Sequence, residues 1–310
     1  MAAQPIWTVI AGVNMETNVP VYGFPLQLGT AHYVNNQIMD ELGGVAANLA
    51  IGLQTLGQPT QVVSVIGEDF LGTEVLWQLA GYGVNTDAIR TDYERTSRTV
   101  ILVAPDGERQ LLCDFRDASK YHYPDTALAS TLSRAGRWVY TSTHDWVRYA
   151  ALAANQAGKF VATDVHDVVD VDDYHRDFYQ AASLIFVSLS RLRPSVTDFA
   201  HHLYEGFGVQ TVVGMDAARG AWLVDGASGD TRHYPAHRVA HVIDTVGAGD
   251  ALAAGFCAAL SAGLSLEACL NVGQQVAAHK IQHRGTLAFP PPEAVGLASG
   301  KPQSPSVEIV

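Results

Sequence analysis

The chain has 310 residues, 48% hydrophobic and only 16% charged, a balance that excludes a wholly disordered chain and supplies one large core with a small appendage. Its formal charge of -12 and pI near 5.3 repel polyanions, which excludes DNA, RNA and anionic membranes as expected partners. No run approaches about 18 uninterrupted apolar residues, and Met1 to Ile10 lacks the basic start and apolar stretch of a secretory leader, so the expected location is the cytoplasm.

In chain order, Ile6 to Val13 reads as a strand, Ala46 to Leu56 as a helix, Gln61 to Ile66 as a strand and Gly72 to Ala80 as a helix. Strand patterns at Trp138 to Thr141, Phe160 to Thr163, Leu184 to Val187 and Gln210 to Gly214 then alternate with helical periodicity at Val147 to Ala157 and Ser195 to Glu205. Two further helices close the series, Ala251 to Leu260 and Leu266 to Gln282. Gly57, Gly83, Gly158 and Gly208 follow four of the helical runs, where a positive φ is wanted. Such alternation predicts an α/β fold with a mainly parallel sheet flanked by helices.

Two stretches break this pattern, Met15 to Leu42 and Thr96 to Ser119. The second contains Val100 to Ala104, a Pro-Asp-Gly turn and Arg109 to Phe115, which predicts a hairpin. Together they are expected to form a small β lid, with segments about 15–42 and 96–119 inserted in a single unit spanning 1–310. A lid edge strand can pair with a second subunit, which makes a homodimer through the lid a further expectation. From Pro290 onward the proline-rich tail is expected to wrap the surface or lack order. Cys113, Cys257 and Cys269 lie far apart and show no metal-ligand spacing, which argues against a disulfide framework.

The chemistry concentrates in Asp244-Thr245-Val246-Gly247-Ala248-Gly249-Asp250 and the small-residue helix that follows. A Gly-Ala-Gly turn opening a helix leaves backbone N–H groups free of side chains, and with the helix dipole they favour an anion such as phosphate. In the first helical turn, Asp250 can accept the proton of an attacking hydroxyl while the turn stabilises the transferring group. The alternative for an isolated Gly-x-Gly-Asp is a tight turn with an ordinary helix-start acid.

This segment resembles the Asp-Thr-x-Gly-Ala-Gly-Asp signature of the ribokinase family, the PfkB carbohydrate kinases, at all six defined positions. The resemblance implies the ribokinase-like three-layer fold, Asp250 as catalytic base, and Gly247, Ala248 and Gly249 as the anion hole. It makes Asp244 a neighbour of a monovalent cation such as K+, and ATP and Mg²⁺ the expected cofactors. Gly43-Gly44-Val45-Ala46-Ala47-Asn48 looks like the family's lid-hinge glycines followed by an Asn that bonds a substrate hydroxyl. Gly12-Val13-Asn14-Met15-Glu16 is similar to a Gly-x-Asn-x-Asp segment, with Glu16 one methylene longer than the usual Asp, a displacement over ~1 Å that points to a substrate other than ribose. Asp69 is expected to cap the helix after it, and Arg116 stands where some relatives contact substrate, although an exposed surface Arg is an equal reading.

Three segments depart from the family pattern. Ser188 and Arg191 replace the Asn and Glu of Asn-x-x-Glu, which removes a hard oxygen ligand and offers a guanidinium for phosphate. Met215 to Gly220 retains only Arg219 and Gly220 of a nucleotide-phosphate segment. Asp164-Val165-His166-Asp167-Val168 lacks the Arg that pairs with sugar-acid carboxylates, and Val45 and Ala46 stand where phosphosugar kinases carry Lys. The expected acceptor is therefore a small non-phosphorylated sugar or sugar derivative, with a nucleoside as the alternative and a non-catalytic ligand-binding relative as the alternative of a different class. The twelve histidines show no metal-ligand spacing, the acidic run Asp164 to Asp173 lacks a calcium-loop pattern, Ser142 and His144 lack a nucleophile elbow, and no Walker pattern occurs.

Overall fold

The computed structural model describes residues 6–27, 29, 31, 33–105, 108–116 and 120–297. The chain runs β1 (Trp7–Ile10), β2 (Asn14–Pro20), β3 (Met39–Gly43), α1 (Val45–Thr55), β4 (Thr60–Gly67), α2 (Phe70–Gly81), β5 (Asn85–Tyr93), β6 (Arg98–Val103) and β7 (Arg109–Asp114). It continues through α3 (Asp125–Arg134), β8 (Trp138–Thr141), α4 (Val147–Gln156), β9 (Phe160–Asp164), α5 (Arg176–Ala181), β10 (Leu184–Ser188), α6 (Val196–Phe207), β11 (Thr211–Met215), β12 (Ala221–Asp225), β13 (Thr231–Tyr234), α7 (Ala248–Ser261) and α8 (Leu266–Lys280).

The large sheet has nine strands in the order β13-β12-β11-β10-β9-β8-β1-β4-β5. Every pairing from β5 to β11 is parallel, and only the pairings of β12 with β11 and with β13 are antiparallel. Buried on both faces, the parallel strands read as apolar runs, which is why they were legible as strands. One face is covered by α1, α2, α7 and α8, and the other by α3 to α6, which gives the three expected layers. The chain order reverses at β1, whose neighbours are β8 and β4. At such a switch point, a crevice opens beyond the carboxyl ends of the strands.

Strands β3-β2-β6-β7 form a second sheet in the place of the expected lid. It is mixed, because β2 pairs with β6 in parallel while the two outer pairings are antiparallel. The β6–β7 hairpin forms as expected, although its turn residues 106 and 107 lie outside the described residues. The edge strand β7 is exposed along its whole length.

Small residues set the spacing between helices. A Cβ on Gly52 of α1 would come within 2.8 Å of Ala254 Cβ on α7, so the two helices approach as closely as backbone allows. Gly57, Gly83, Gly158 and Gly208 all take positive φ at helix ends, and Asp69 accepts from Gly72 N at 2.8 Å as the α2 cap. Beyond residue 297 the tail expectation lies outside the described residues. Before that point Val295 and Leu297 are buried in the main core, because their side chains cover α8 and neighbouring apolar groups.

Candidate active site

Close packing of α1 on α7 brings Asn48 to Asp250. The Asn48 side-chain amide donates to Asp250 Oδ2 at 2.6 Å, across 202 residues of sequence. Gly247, with φ 74, caps α7, and the N–H groups of its first turn lack intrahelical acceptors, although Ala248 N donates to Thr245 O at 3.3 Å. Desolvation pushes Asp250 up to about 7. Asn48 opposes this, the charge of Asp164 adds to it, His166 opposes it and Glu16 adds to it. A carboxyl so placed takes up a proton near neutral pH, as a general base requires.

Beyond the end of β1, a largely apolar cavity of about 300 Å³ lies between core and lid. Asn14 and Glu16 of β2 and Gly44 line it, with Thr99, Phe115, His144, Trp146 and His166 opposite. Asn14 donates to Thr99 Oγ1 at 2.7 Å, which leaves Asn14 Oδ1 buried without a partner, as is Asn48 Oδ1. An unpaired buried acceptor costs about 1–3 kcal/mol, a cost that a hydroxyl donor reaching the Asn14 oxygen would relieve. Glu16 Oε1 accepts from Gly44 N at 3.2 Å, and a side chain on Gly43 would collide with the Glu16 carboxyl group. The double glycine thus admits the longer acid. Burial pushes Glu16 up, opposed by the Gly44 amide and reinforced by Glu41 and Asp244.

His144, His166 and Trp146 are cavity residues without a signature in the sequence. They sit beyond the carboxyl ends of β8 and β9, a placement that strand order alone reveals. His144 shares a hydrogen bond with Ser142 Oγ at 2.9 Å and packs edge-on against Phe115, with ring centroids 5.2 Å apart. Burial pushes it down to about 4, so the ring is neutral at pH 7. The Ser142–His144 pair therefore belongs to the cavity wall. Asp164 is buried, accepts from His166 N at 2.8 Å and stands 3.6 Å from His166 Nδ1.

None of the remaining sequence-predicted residues lines this cavity. Arg116, φ 55, pairs with Asp114, donates to Thr96 O at 3.3 Å, and lines an outer groove of about 610 Å³ with Asp145 and Tyr174. Ser188 ends β10, and Arg191 reaches Asp167 at 3.7 Å. Arg219 donates to Asp216 Oδ2 at 2.9 Å, and Gly220 closes that turn. Asp244 accepts from Val246 N at 2.9 Å and from Gly285 N at 3.0 Å, beside the buried Lys280. Burial lowers the Lys280 ammonium below an ordinary lysine, and Asp244 pulls it back up. A depression of about 660 Å³ between Arg176 and Gln210 holds none of these groups.

The profile of the pfkB family carbohydrate kinases matches residues 8–294. The chain belongs to that family. The chain is 31% identical to acarbose 7(IV)-phosphotransferase of Actinoplanes sp. over 265 residues, 85% of this chain and 87% of the relative. It is 27% identical to fructoselysine 6-kinase of Escherichia coli, covering 78% and 90%. Among solved structures, a microbiome-derived acarbose kinase superposes with TM-score 0.87 at 28% identity over 94% of this chain and 98% of that one. Arabidopsis thaliana ribokinase, complexed with ribose and ATP, shares the fold at TM-score 0.79 and 22% identity, over 94% and 98%. The protein is thus an ATP-dependent carbohydrate kinase, which transfers a phosphoryl group to a sugar hydroxyl. Among the described residues, no helix is long and apolar enough to cross a membrane.

Proposed function

We propose that the acceptor is an extended, non-phosphorylated glycoside, with its terminal ring in the inner cavity and further rings in the outer groove. The observation that carries this reading is continuity: Cys113, Phe115, His144 and His166 line both the inner cavity and the groove, so a chain of sugar rings can pass between them. Tyr174, 48% exposed in the groove, offers a ring face for a sugar, and Arg148 stacks on it at 4.3 Å. No Lys or Arg lines the inner cavity among the described residues, which disfavours a phosphate on the inner ring. Similarity to two kinases named for acarbose supports the same class of acceptor.

In this reading the acceptor hydroxyl lies against Asp250, which accepts its proton as the oxygen attacks the γ-phosphorus of ATP. Asn48 holds the carboxylate, Asn14 and Glu16 hold neighbouring hydroxyls, and the Gly247-Ala248-Gly249 amides stabilise the charge of the transferring group. Lid closure excludes water, the competing acceptor. The residues present do not build a protein-held Mg²⁺ site: Arg191 stands where a carboxylate is expected, and among the described residues no cluster of His, Cys, Asp or Glu is placed to hold a metal. Mg²⁺ has affinity for the nucleotide phosphates themselves.

A nucleoside acceptor is the second reading, favoured by the aromatic lining of Phe115, Trp146 and His144. ADP release with ATP and Mg²⁺ across monosaccharides, oligosaccharides, acarbose-like pseudo-oligosaccharides and nucleosides tests both. Higher kcat/KM for oligomers than for their terminal monosaccharide supports the extended acceptor, and preference for the monosaccharide or a nucleoside overturns it.

A further inference from the structure

Asp244 is the residue expected to neighbour a monovalent cation, and the groups around it do not fit one. Its Oδ1 accepts from Val246 N at 2.9 Å and its Oδ2 from Gly285 N at 3.0 Å. Its backbone oxygen accepts from Lys280 Nζ at 2.8 Å, and the same Nζ lies 3.6 Å from Oδ2. Lys280, the last residue of α8, is 0% exposed, so its ammonium is a fixed part of the interior. Ile281 O, another oxygen on this loop, already accepts from Ile243 N at 2.8 Å and Asp244 N at 3.2 Å. The three oxygens of Asp244 and the carbonyl of Ile281 are thus engaged, and a positive group stands among them. A second cation would meet like charge at close range.

We propose that Lys280 is a built-in cation: its ammonium takes the place of K+, ties the 244–247 loop to the 281–286 loop, and positions the anion cradle that opens α7. The connection is short. Lys280 holds Asp244, Asp244 holds Val246 N and Gly285 N, and Thr286 packs against Gly247, where a Cβ would lie 3.1 Å from Thr286 Cβ. Gly247 caps the helix whose first turn carries Asp250. The lid reaches the same charge, since a Cβ on Gly285 would lie 2.8 Å from Glu41 Oε1 of β3 and Glu41 interacts with Lys280. Lys280 is therefore a positioning residue, acting through Asp244 on the loop that holds phosphate.

The turnover part of the test rests on the kinase reading, so the first part needs no substrate. Native protein is melted in potassium chloride and in tetramethylammonium chloride at equal ionic strength. A resident ammonium predicts a difference within about 1 °C, whereas saturable stabilisation by K+ overturns the proposal. Lys280→Met, checked for folding by circular dichroism, is expected to melt lower and to recover part of the loss with K+ or ammonium. If that variant does not fold, the native melting response still decides.

The second part measures ADP release with ATP and the best acceptor. Native kcat is expected to agree within about twofold in the two salts, and Lys280→Met to lose about tenfold or more in kcat, with acceptor KM less affected and K+ restoring part of it. A native rate that rises more than about fivefold with K+, or a Lys280→Met protein with native kcat, contradicts the proposal. Should no acceptor turn over, the acceptor reading fails alone and the melting comparison stands.

Discussion

The proposed acceptor side and the proposed nucleotide side of the crevice are built differently. On the acceptor side, Asn14 and Asn48 are buried, Glu16 is fixed by the Gly44 amide, and two amide oxygens wait without partners. On the nucleotide side, Arg191 and Arg219 are exposed and already paired with Asp167 and Asp216 of their own neighbourhood. Buried polar groups with fixed geometry discriminate among substrates, whereas exposed ion pairs contribute about 0–1 kcal/mol and rearrange readily. In the proposed reading, selectivity for the acceptor is therefore designed into the core, and the phosphates depend chiefly on backbone amides at the start of α7.

The sharpest way to break this contrast is Asp250→Asn, which removes the base and keeps an acceptor for Asn48. Turnover measured as ADP release is expected to fall by about 10²- to 10⁴-fold. Gly43→Ala comes next, since its Cβ displaces the Glu16 carboxyl group: kcat/KM for the acceptor should fall by about tenfold or more while KM for ATP stays within about twofold. An equal rise in KM for ATP would erase the distinction between the two sides.

The pH profile sharpens the assignment of the base. With Asp250 raised to about 7, its carboxylate fraction falls about tenfold per pH unit below that value, so log kcat/KM should rise with unit slope up to about 7 and then level. A profile flat from pH 5 to 8 would remove Asp250 from that role. Stability follows the opposite sign. A carboxyl raised in the fold favours folding below its unfolded value, near 4, and this advantage is lost as pH rises through about 7. Asp250→Asn should consequently raise Tm more at pH 8 than at pH 5. The smallest effect is expected from Arg219→Ala, whose exposed guanidinium already has Asp216: KM for ATP should change less than about threefold.

Much of the fold was legible because parallel strands buried on both faces leave apolar runs, and helix ends leave glycines. Strands β5 and β13 were not read, since their solvent-facing positions carry polar residues and dilute the pattern, and β12 was not read although four of its five residues are apolar. The lid's two broken stretches were visible as a departure from alternation, but the parallel pairing of β2 with β6 was not, because pairing between segments about 80 residues apart leaves no local trace.

For the site, the residue types in the 244–250 loop, the double glycine and Asn48 were enough to name the chemistry, because a phosphate cradle needs small residues and a base at fixed local spacing. Local spacing is what a sequence carries. The cavity wall of His144, Trp146 and His166, the 2.6 Å contact of Asn48 with Asp250, and the ammonium of Lys280 beside Asp244 all join residues from separate elements. Their partners are chosen by strand order and by how closely small-residue helices can approach, so only the tertiary structure decided which lysine, among residues of ordinary helical character, became a buried charge at the mouth of the phosphate loop.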